Sequence, residues 1–167
     1  NSRDNYIGPF GYGWTHSYNF FLINDTKNKL IIIKDGEGRE IVFKDDENIF
    51  TPQRGEYSTL TKTKDGYIWR LKNGTNFYFD TTGRLLKIVD RNNNTITLNY
   101  NNLKQLQSIT DTVGRKITLK YDNQNRIILA TDPLGRSYKY TYDTNNNLVS
   151  VTDPKGGVIS YTYDVNH

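Results

Sequence analysis

A 21-residue recurrence limits what this chain can fold into more than any other feature. Phe79, Tyr100, Tyr121, Tyr142 and Tyr163 stand at that interval with no insertion or deletion between them. Beside them stand Asp80, Asn101, Asp122, Asp143 and Asp164. Leu85, Leu106, Ile127 and Leu148 keep one further offset, and Asp90, Asp111, Asp132 and Asp153 another, with Gly114, Gly135 and Gly156 in step. A fixed period of this length marks one supersecondary unit stacked on copies of itself. Chance does not hold so many positions in phase.

One copy can be read residue by residue. Residues 127–131 are a short apolar, β-favouring run, followed by Asp132-Pro133-Leu134-Gly135. Proline presets φ at the second turn position and the Asp side chain can bond the backbone two residues on, which is a type I turn signal. Asp153-Pro154-Lys155-Gly156 repeats it. Tyr138, Tyr140 and Tyr142 then alternate with Lys139 and Thr141, the period of a half-buried strand. The same apolar face recurs as Ile96, Leu98 and Tyr100, as Ile117, Leu119 and Tyr121, and as Ile159, Tyr161 and Tyr163. A one-residue slip would exchange the faces, so the pattern pins the register.

A second turn follows each aromatic-acid pair and needs a residue tolerant of positive φ. Gly83, Asn125 and Asn146 supply it, and Lys104 departs from the pattern. Each repeat therefore reads as one β-hairpin in a continuous antiparallel meander. The strand after the second turn is mixed, because Leu85, Leu106, Ile127 and Leu148 face against Leu86, Ile88, Ile128, Val149 and Val151. A sheet covered on both faces at the strand start would account for that.

The residues before the repeat also read as strands. Residues 1–13 are loop-like, punctuated by Gly8, Pro9, Gly11 and Gly13. Trp14, His16, Tyr18, Phe20 and Leu22 alternate with polar residues over a strand of about ten residues. Residues 30–34 and 40–44 are the next strands, and residues 45–56 the one long loop. Residues 57–63 and 67–72 follow, separated by Asp65-Gly66, and Asn73-Gly74 signals a type I′ hairpin turn. The fold class is all-β, with roughly fourteen strands and no amphipathic helix. Two regions result: 1–78, a β-strand segment preceding the repeats, and 79–167, about four repeats with a fifth truncated.

Composition narrows the function classes. Aromatic residues are 13% of the chain and 13 of them are Tyr, whose ring buries area while its hydroxyl stays polar. The net charge of +4 is spread without basic runs, which does not suit a nucleic-acid footprint. Cysteine is absent, removing disulfides and thiolate metal sites. No apolar run reaches the ~18–20 residues that a helix needs to span a bilayer. Both ends read as cut from something longer.

Catalytic motifs are missing. There is no HExxH, EF-hand, GxSxG, Walker or dinucleotide fingerprint, and the glycine-rich residues 8–13 precede no helix. His16 reads as a packed strand residue, and His167 receives no role. Asp45, Asp46 and Glu47 read as a solvated loop rather than a calcium site. Asp90, Asp111, Asp132 and Asp153 are explained by turn chemistry. Tyr67, Trp69, Tyr78 and Trp14 are candidates for stacking on sugar rings, set against the simpler role of packing. The chain is read as a non-enzyme without metal or cofactor. Its key residues are then structural: the aromatic ladder and the turn residues Asp132, Pro133, Gly135, Asp153, Pro154 and Gly156.

Tyr121-Asp122, Arg126-Ile127, Thr131-Asp132-Pro133-Leu134-Gly135-Arg136 and Tyr138-Lys139-Tyr140-Thr141-Tyr142-Asp143 together resemble the YD repeat of RHS proteins. Residues 8–18, from Gly8-Pro9-Phe10 to Ser17-Tyr18, resemble the segment preceding the repeats in bacterial RHS and WapA-like toxins. The resemblance implies a long β-sheet spiralling into a hollow shell, which in that family encloses a toxin domain or supports adhesion. It implies a secreted or surface-displayed bacterial protein whose partners are the rest of the parent chain and its toxin cargo. Carbohydrate or cell-surface binding is the rival reading.

Repeat sheets expose unpaired strand edges unless capped. The sequence therefore predicts a dimer or strand exchange through residues 159–163. Light scattering over a wide concentration range should show a concentration-dependent mass, and a constant monomer mass would contradict this.

Overall fold

The computed structural model describes residues 7–164, and His167 lies outside them. All regular structure among these residues is β-strand. The strands in chain order are β1 (Ile7–Gly8), β2 (Gly11–Tyr12), β3 (Phe21–Asp25), β4 (Leu30–Lys34), β5 (Glu40–Asp46) and β6 (Ile49–Pro52). Then come β7 (Thr59–Thr63), β8 (Gly66–Arg70), β9 (Asn76–Asp80), β10 (Leu85–Val89), β11 (Thr95–Tyr100) and β12 (Leu106–Thr110). The last are β13 (Lys116–Tyr121), β14 (Ile127–Thr131), β15 (Ser137–Tyr142), β16 (Leu148–Thr152) and β17 (Val158–Ser160). β3 to β6 form a four-stranded sheet, and β7 to β17 follow one another in an eleven-stranded order. The chain is an all-β antiparallel meander.

Two compact units divide it. One comprises residues 17–98 with 111–113. Its core is made by alternation: Ile31 opposes Phe43 and Ile33 opposes Ile41 in the small sheet, all buried. Tyr67, Trp69, Phe77, Phe79 and Leu85 supply the facing layer. Phe20 joins them, its ring 5.0 Å from that of Phe77, while Phe50 meets Tyr67 edge-on at 6.2 Å. The small sheet is tied to the first repeat turn by backbone, since the Leu22 N–H donates to the Gly83 carbonyl at 2.8 Å.

The other unit comprises residues 99–110 and 114–164 with the N-terminal residues up to 16. Its strands alternate as their side chains require. In β13 the lysines and Thr118 are exposed while Ile117, Leu119 and Tyr121 are half-buried. The edge strand β17 leaves Val158 and Ile159 60% exposed, far more than inner strands leave their apolar residues.

The turns repeat one geometry. At Asp132 the Gly135 N–H donates to the Asp132 carbonyl and the Asp132 N–H to the Arg136 carbonyl, with Gly135 at φ 80°. This is a type I turn closed by a left-handed residue. Asp122 with Asn125, Asp143 with Asn146 and Asn101 with Lys104 do the same on the opposite rim. Lys104 adopts φ 64° like the Asn and Gly at its equivalents, so the loop tolerates a side chain where the backbone demands it.

Several sequence expectations need correction. The mixed strand signal is a β-bulge, not a doubly covered sheet. Leu85 pairs with Phe79 but Lys87 with Tyr78; likewise Ile127 pairs with Tyr121 but Leu129 with Lys120. The extra residue returns Ile88 and Ala130 to the face of Leu85 and Ile127. Leu86 and Ile128 are the extra residues, and each is 38% exposed.

The Asn73-Gly74 turn is not type I′. Only Gly74 has positive φ, and its N–H bonds the Leu71 carbonyl, while the Asn73 side chain accepts the Thr75 N–H. The type I′ signature instead belongs to Glu47 and Asn48, at φ 54° and 71° between paired Asp46 and Ile49. That hairpin takes up the first part of the long loop expected at 45–56, and only residues 53–58 remain without strand between β6 and β7. In the Asp65-Gly66 turn the central residues are Lys64 and Asp65, because Gly66 already pairs with Thr63. The strand expected from Trp14 to Leu22 begins only at Phe21, since residues 14–16 and 17–22 serve different cores.

Two glycines with similar φ make a test. A Cβ at Gly83 would strike the Leu22 carbonyl oxygen, whereas one at Gly135 would meet nothing within 4 Å. Gly135→Asn should cost no more than about 1 kcal/mol and Gly83→Asn more than about 2 kcal/mol, read by urea unfolding.

Candidate functional site

In the second unit the recurring tyrosines form a ladder. The Tyr121 hydroxyl donates to the Leu106 carbonyl at 2.9 Å, Tyr142 to Ile127 at 2.6 Å, and Tyr163 to Leu148 at 2.8 Å. Each bond runs from the aromatic end of a hairpin back to the start of the strand paired with it across the turn. The ring lies across the apolar face while the hydroxyl satisfies a carbonyl that would otherwise face apolar side chains. Phe79 fills the same repeat position without a hydroxyl and is buried.

Burial pushes the Tyr121 phenol up to about 12, with the neighbouring Tyr100 adding to it. It pushes Tyr142 up as well, against the opposing charge of Arg126. Neutral phenols suit the ladder, because each acts as donor to a carbonyl that cannot donate back.

A second, polar ladder runs along the rim. The Arg126 Nε donates to Asp122 at 2.8 Å, and its Nη1 reaches the Asp143 carbonyl and the Asn146 side chain, both at 3.2 Å. Its guanidinium sits over the Tyr142 ring, 4.6 Å from the centroid. One repeat earlier Gln105 bonds Asn125 in the same way at 2.8 Å. At these two turns the residue after the left-handed position staples its turn to the next, whereas Asn147 at the following turn bonds Asp143 of its own loop.

The turn carboxylates are engaged in their own loops. Burial alone would raise Asp122 and Asp132, but hydrogen bonds and the charge of Arg126 or Arg136 hold both below the usual carboxylate range. Asp153 Oδ1 accepts the Lys155 and Gly157 N–H groups. Among the described residues no three His, Asp or Glu side chains gather to hold a metal.

The N-terminal glycine-rich segment completes this unit. The Ile127 N–H donates to the Pro9 carbonyl at 2.7 Å and the Tyr12 N–H to the Asn146 carbonyl at 2.9 Å. Phe10 packs edge-on against Tyr140 and against His16. Gly11 is required here, for a Cβ would strike the Asn146 carbonyl. Burial lowers His16 to about 4, so it is neutral at pH 7. The sequence reading missed this docking, and its signal was the Gly11-Tyr12-Gly13 spacing, which permits close backbone approach.

The sugar-stacking candidates are not brought together. Tyr67 and Trp69 are 5% and 1% exposed, so neither offers a ring face to a ligand. Trp69 instead donates to Ser58 at 2.7 Å, and the Tyr67 hydroxyl accepts from Asn24. Tyr78 is half-buried with Lys87 over its ring, and Trp14 donates to the Tyr163 hydroxyl while packing on Tyr161.

Comparison with known proteins fits this geometry. Residues 100–137, 121–158 and 142–167 match the RHS Repeat family, and residues 1–43 match a domain of unknown function, DUF6531. The chain is similar to the tRNA nuclease WapA of Bacillus subtilis (strain 168), 36% identical over 107 residues. It is 35% identical over the same length to the tRNA3(Ser)-specific nuclease WapA of Bacillus spizizenii. These matches cover 64% of this chain and 4% of each relative, so the chain spans a small fraction of the relatives' length.

The phenols set an alkaline limit. Free tyrosine loses its proton near pH 10, about two units below folded Tyr121. The folded state then holds the proton longer than the unfolded one. The stabilisation is complete below about pH 10 and is lost as pH rises through about 12. Tyr121→Phe should lose about 1 kcal/mol at neutral pH and flatten this alkaline slope, both read by urea unfolding.

Proposed function

This chain belongs to the YD/RHS-repeat family, and we propose that it is a stretch of structural wall in a longer secreted or surface-displayed bacterial toxin. The observation that carries the reading is that the recurring polar groups already have internal partners. The Asp122, Asp132 and Asp153 carboxylates accept loop N–H groups, and the Tyr121, Tyr142 and Tyr163 hydroxyls donate to backbone carbonyls. A ladder of that kind builds surface and carries no reacting group.

The wall encapsulates or displays a cargo supplied by the rest of the parent chain. On this reading the nuclease activity in the relatives' names belongs to parts of such proteins outside the matched segment. Repeats begin at residue 79, with 1–78 as the preceding segment. This division is supported by the Asp80–Arg84 turn, whose Asp accepts the Thr82 and Arg84 N–H groups as Asp122 accepts those of Gln124 and Arg126.

The purified chain should unfold cooperatively and leave tRNA intact. Tyr121→Ala and Gly135→Val should each lower the unfolding midpoint and remove no activity. Hydrolysis of tRNA that disappears in an Asp122→Asn or Asp132→Asn variant of unchanged stability would overturn the structural reading.

A further inference from the structure

The turn joining β8 to β9 lacks the usual acceptor at its first residue. Asp80, Asp90, Asp132 and Asp153 each stand first in their turn, and one oxygen of each accepts the N–H groups of the third and fifth residues. Leu71 holds that place between β8 and β9 and has no side-chain oxygen to offer. The backbone nonetheless closes as elsewhere. The Gly74 N–H donates to the Leu71 carbonyl at 3.0 Å, and the Leu71 N–H to the Thr75 carbonyl at 2.8 Å. Asn73 makes good the loss, its Oδ1 accepting the Thr75 N–H at 3.0 Å.

Asn73 and Gly74 form the single Asn-Gly step of the chain, and Asn73 is exposed to water. Glycine places no side chain beside its own amide nitrogen, which leaves that nitrogen open to attack the preceding carboxamide. The nitrogen bonds to Asn73 Cγ and gives up its proton, the Cγ–Nδ2 bond breaks, and ammonia leaves. Water then opens the cyclic imide at either carbonyl, giving aspartate or isoaspartate, and in isoaspartate the side-chain methylene has entered the backbone. In the closed turn both reacting groups are held. The proton that must leave Gly74 is bonded to the Leu71 carbonyl, and the carboxamide that must turn toward Gly74 is bonded to Thr75.

We propose that Asn73 is a deamidation site guarded by its own turn, intact while β8 and β9 are joined and converted through the imide when the turn opens. Conversion proceeds at the intrinsic rate multiplied by the fraction of time the turn is open. Isoaspartate makes the record permanent. Its added backbone atom lies between Arg70 and Asn76, which pair across the hairpin next to buried Trp69 and Phe77. A chain modified once therefore closes the turn less well. Asparagines in other turns precede bulkier residues that shield the nitrogen, as Asn93 precedes Asn94 and Asn125 precedes Arg126.

The test is ageing of the whole 167-residue chain in mildly alkaline buffer, with and without unfolding concentrations of guanidinium chloride. Peptide mass mapping and isoaspartate-specific enzymatic methylation locate the product. In denaturant the mass gain of deamidation should appear first in the peptide holding Asn73. In the folded chain it should be at least about tenfold slower there and should accelerate as denaturant approaches the unfolding midpoint. Asn73→Gln, whose longer side chain closes the larger ring far more slowly, should remove the gain. Asn73→Asp should unfold close to the parent midpoint, because its carboxylate still accepts the Thr75 N–H, whereas the isoaspartate fraction should unfold earlier. Equal rates in the folded and unfolded chain, earlier conversion of another asparagine in denaturant, or an isoaspartate fraction no less stable than Asn73→Asp would overturn the proposal.

Discussion

The hydrogen bond from each tyrosine hydroxyl to the start of its partner strand governs the repeat. A hairpin alone buries too little to persist in water. The tyrosine adds a broad ring to the apolar face and a donor for a carbonyl beneath it. Because Tyr121, Tyr142 and Tyr163 make the same bond to Leu106, Ile127 and Leu148, the two strands of each hairpin are fixed in one register. Removing the hydroxyl alone strands the carbonyl, while removing the ring opens the face.

The bulge is what allows that bond. The extra residue at Ile128 or Val149 lets the strand start with Ile127 or Leu148 pointing inward and still resume alternation at Ala130 or Val151. Those starting residues are among the most buried of the chain. The same inward strand start receives the N-terminal segment, where Pro9 accepts from Ile127 and Tyr12 donates to Asn146. Repeat and capping segment thus share backbone groups at one rim, and glycine at position 11 is the condition for contact.

The polar chemistry divides by location. At the rims, carboxylates and arginines close turns and staple one turn to the next, as Arg126 does across Asp122, Asp143 and Asn146. On the face of β13 to β15 opposite the tyrosine rings, Lys116, Lys120 and Lys139 are exposed. The tyrosine side organises the sheet and the lysine side meets the surroundings. Alternate residues of a strand answer to different surroundings, so one set of strands carries a packed side and an exposed side.

Much was decided by sequence alone. The 21-residue period, the hairpin as its unit, the face of each tyrosine and the left-handed positions at Gly83, Asn125 and Asn146 follow from spacing and from intrinsic backbone preference. These are local properties, repeated often enough to stand above noise. The bulges, the hairpin at Glu47-Asn48, the docking of Pro9 and Tyr12, and the burial of Tyr67 and Trp69 were decided only in three dimensions. Each depends on which residue from a distant part of the chain arrives opposite, and a bulge or a buried ring leaves no period of its own in the sequence. Tertiary packing chose among local conformations that the residues themselves left equally open.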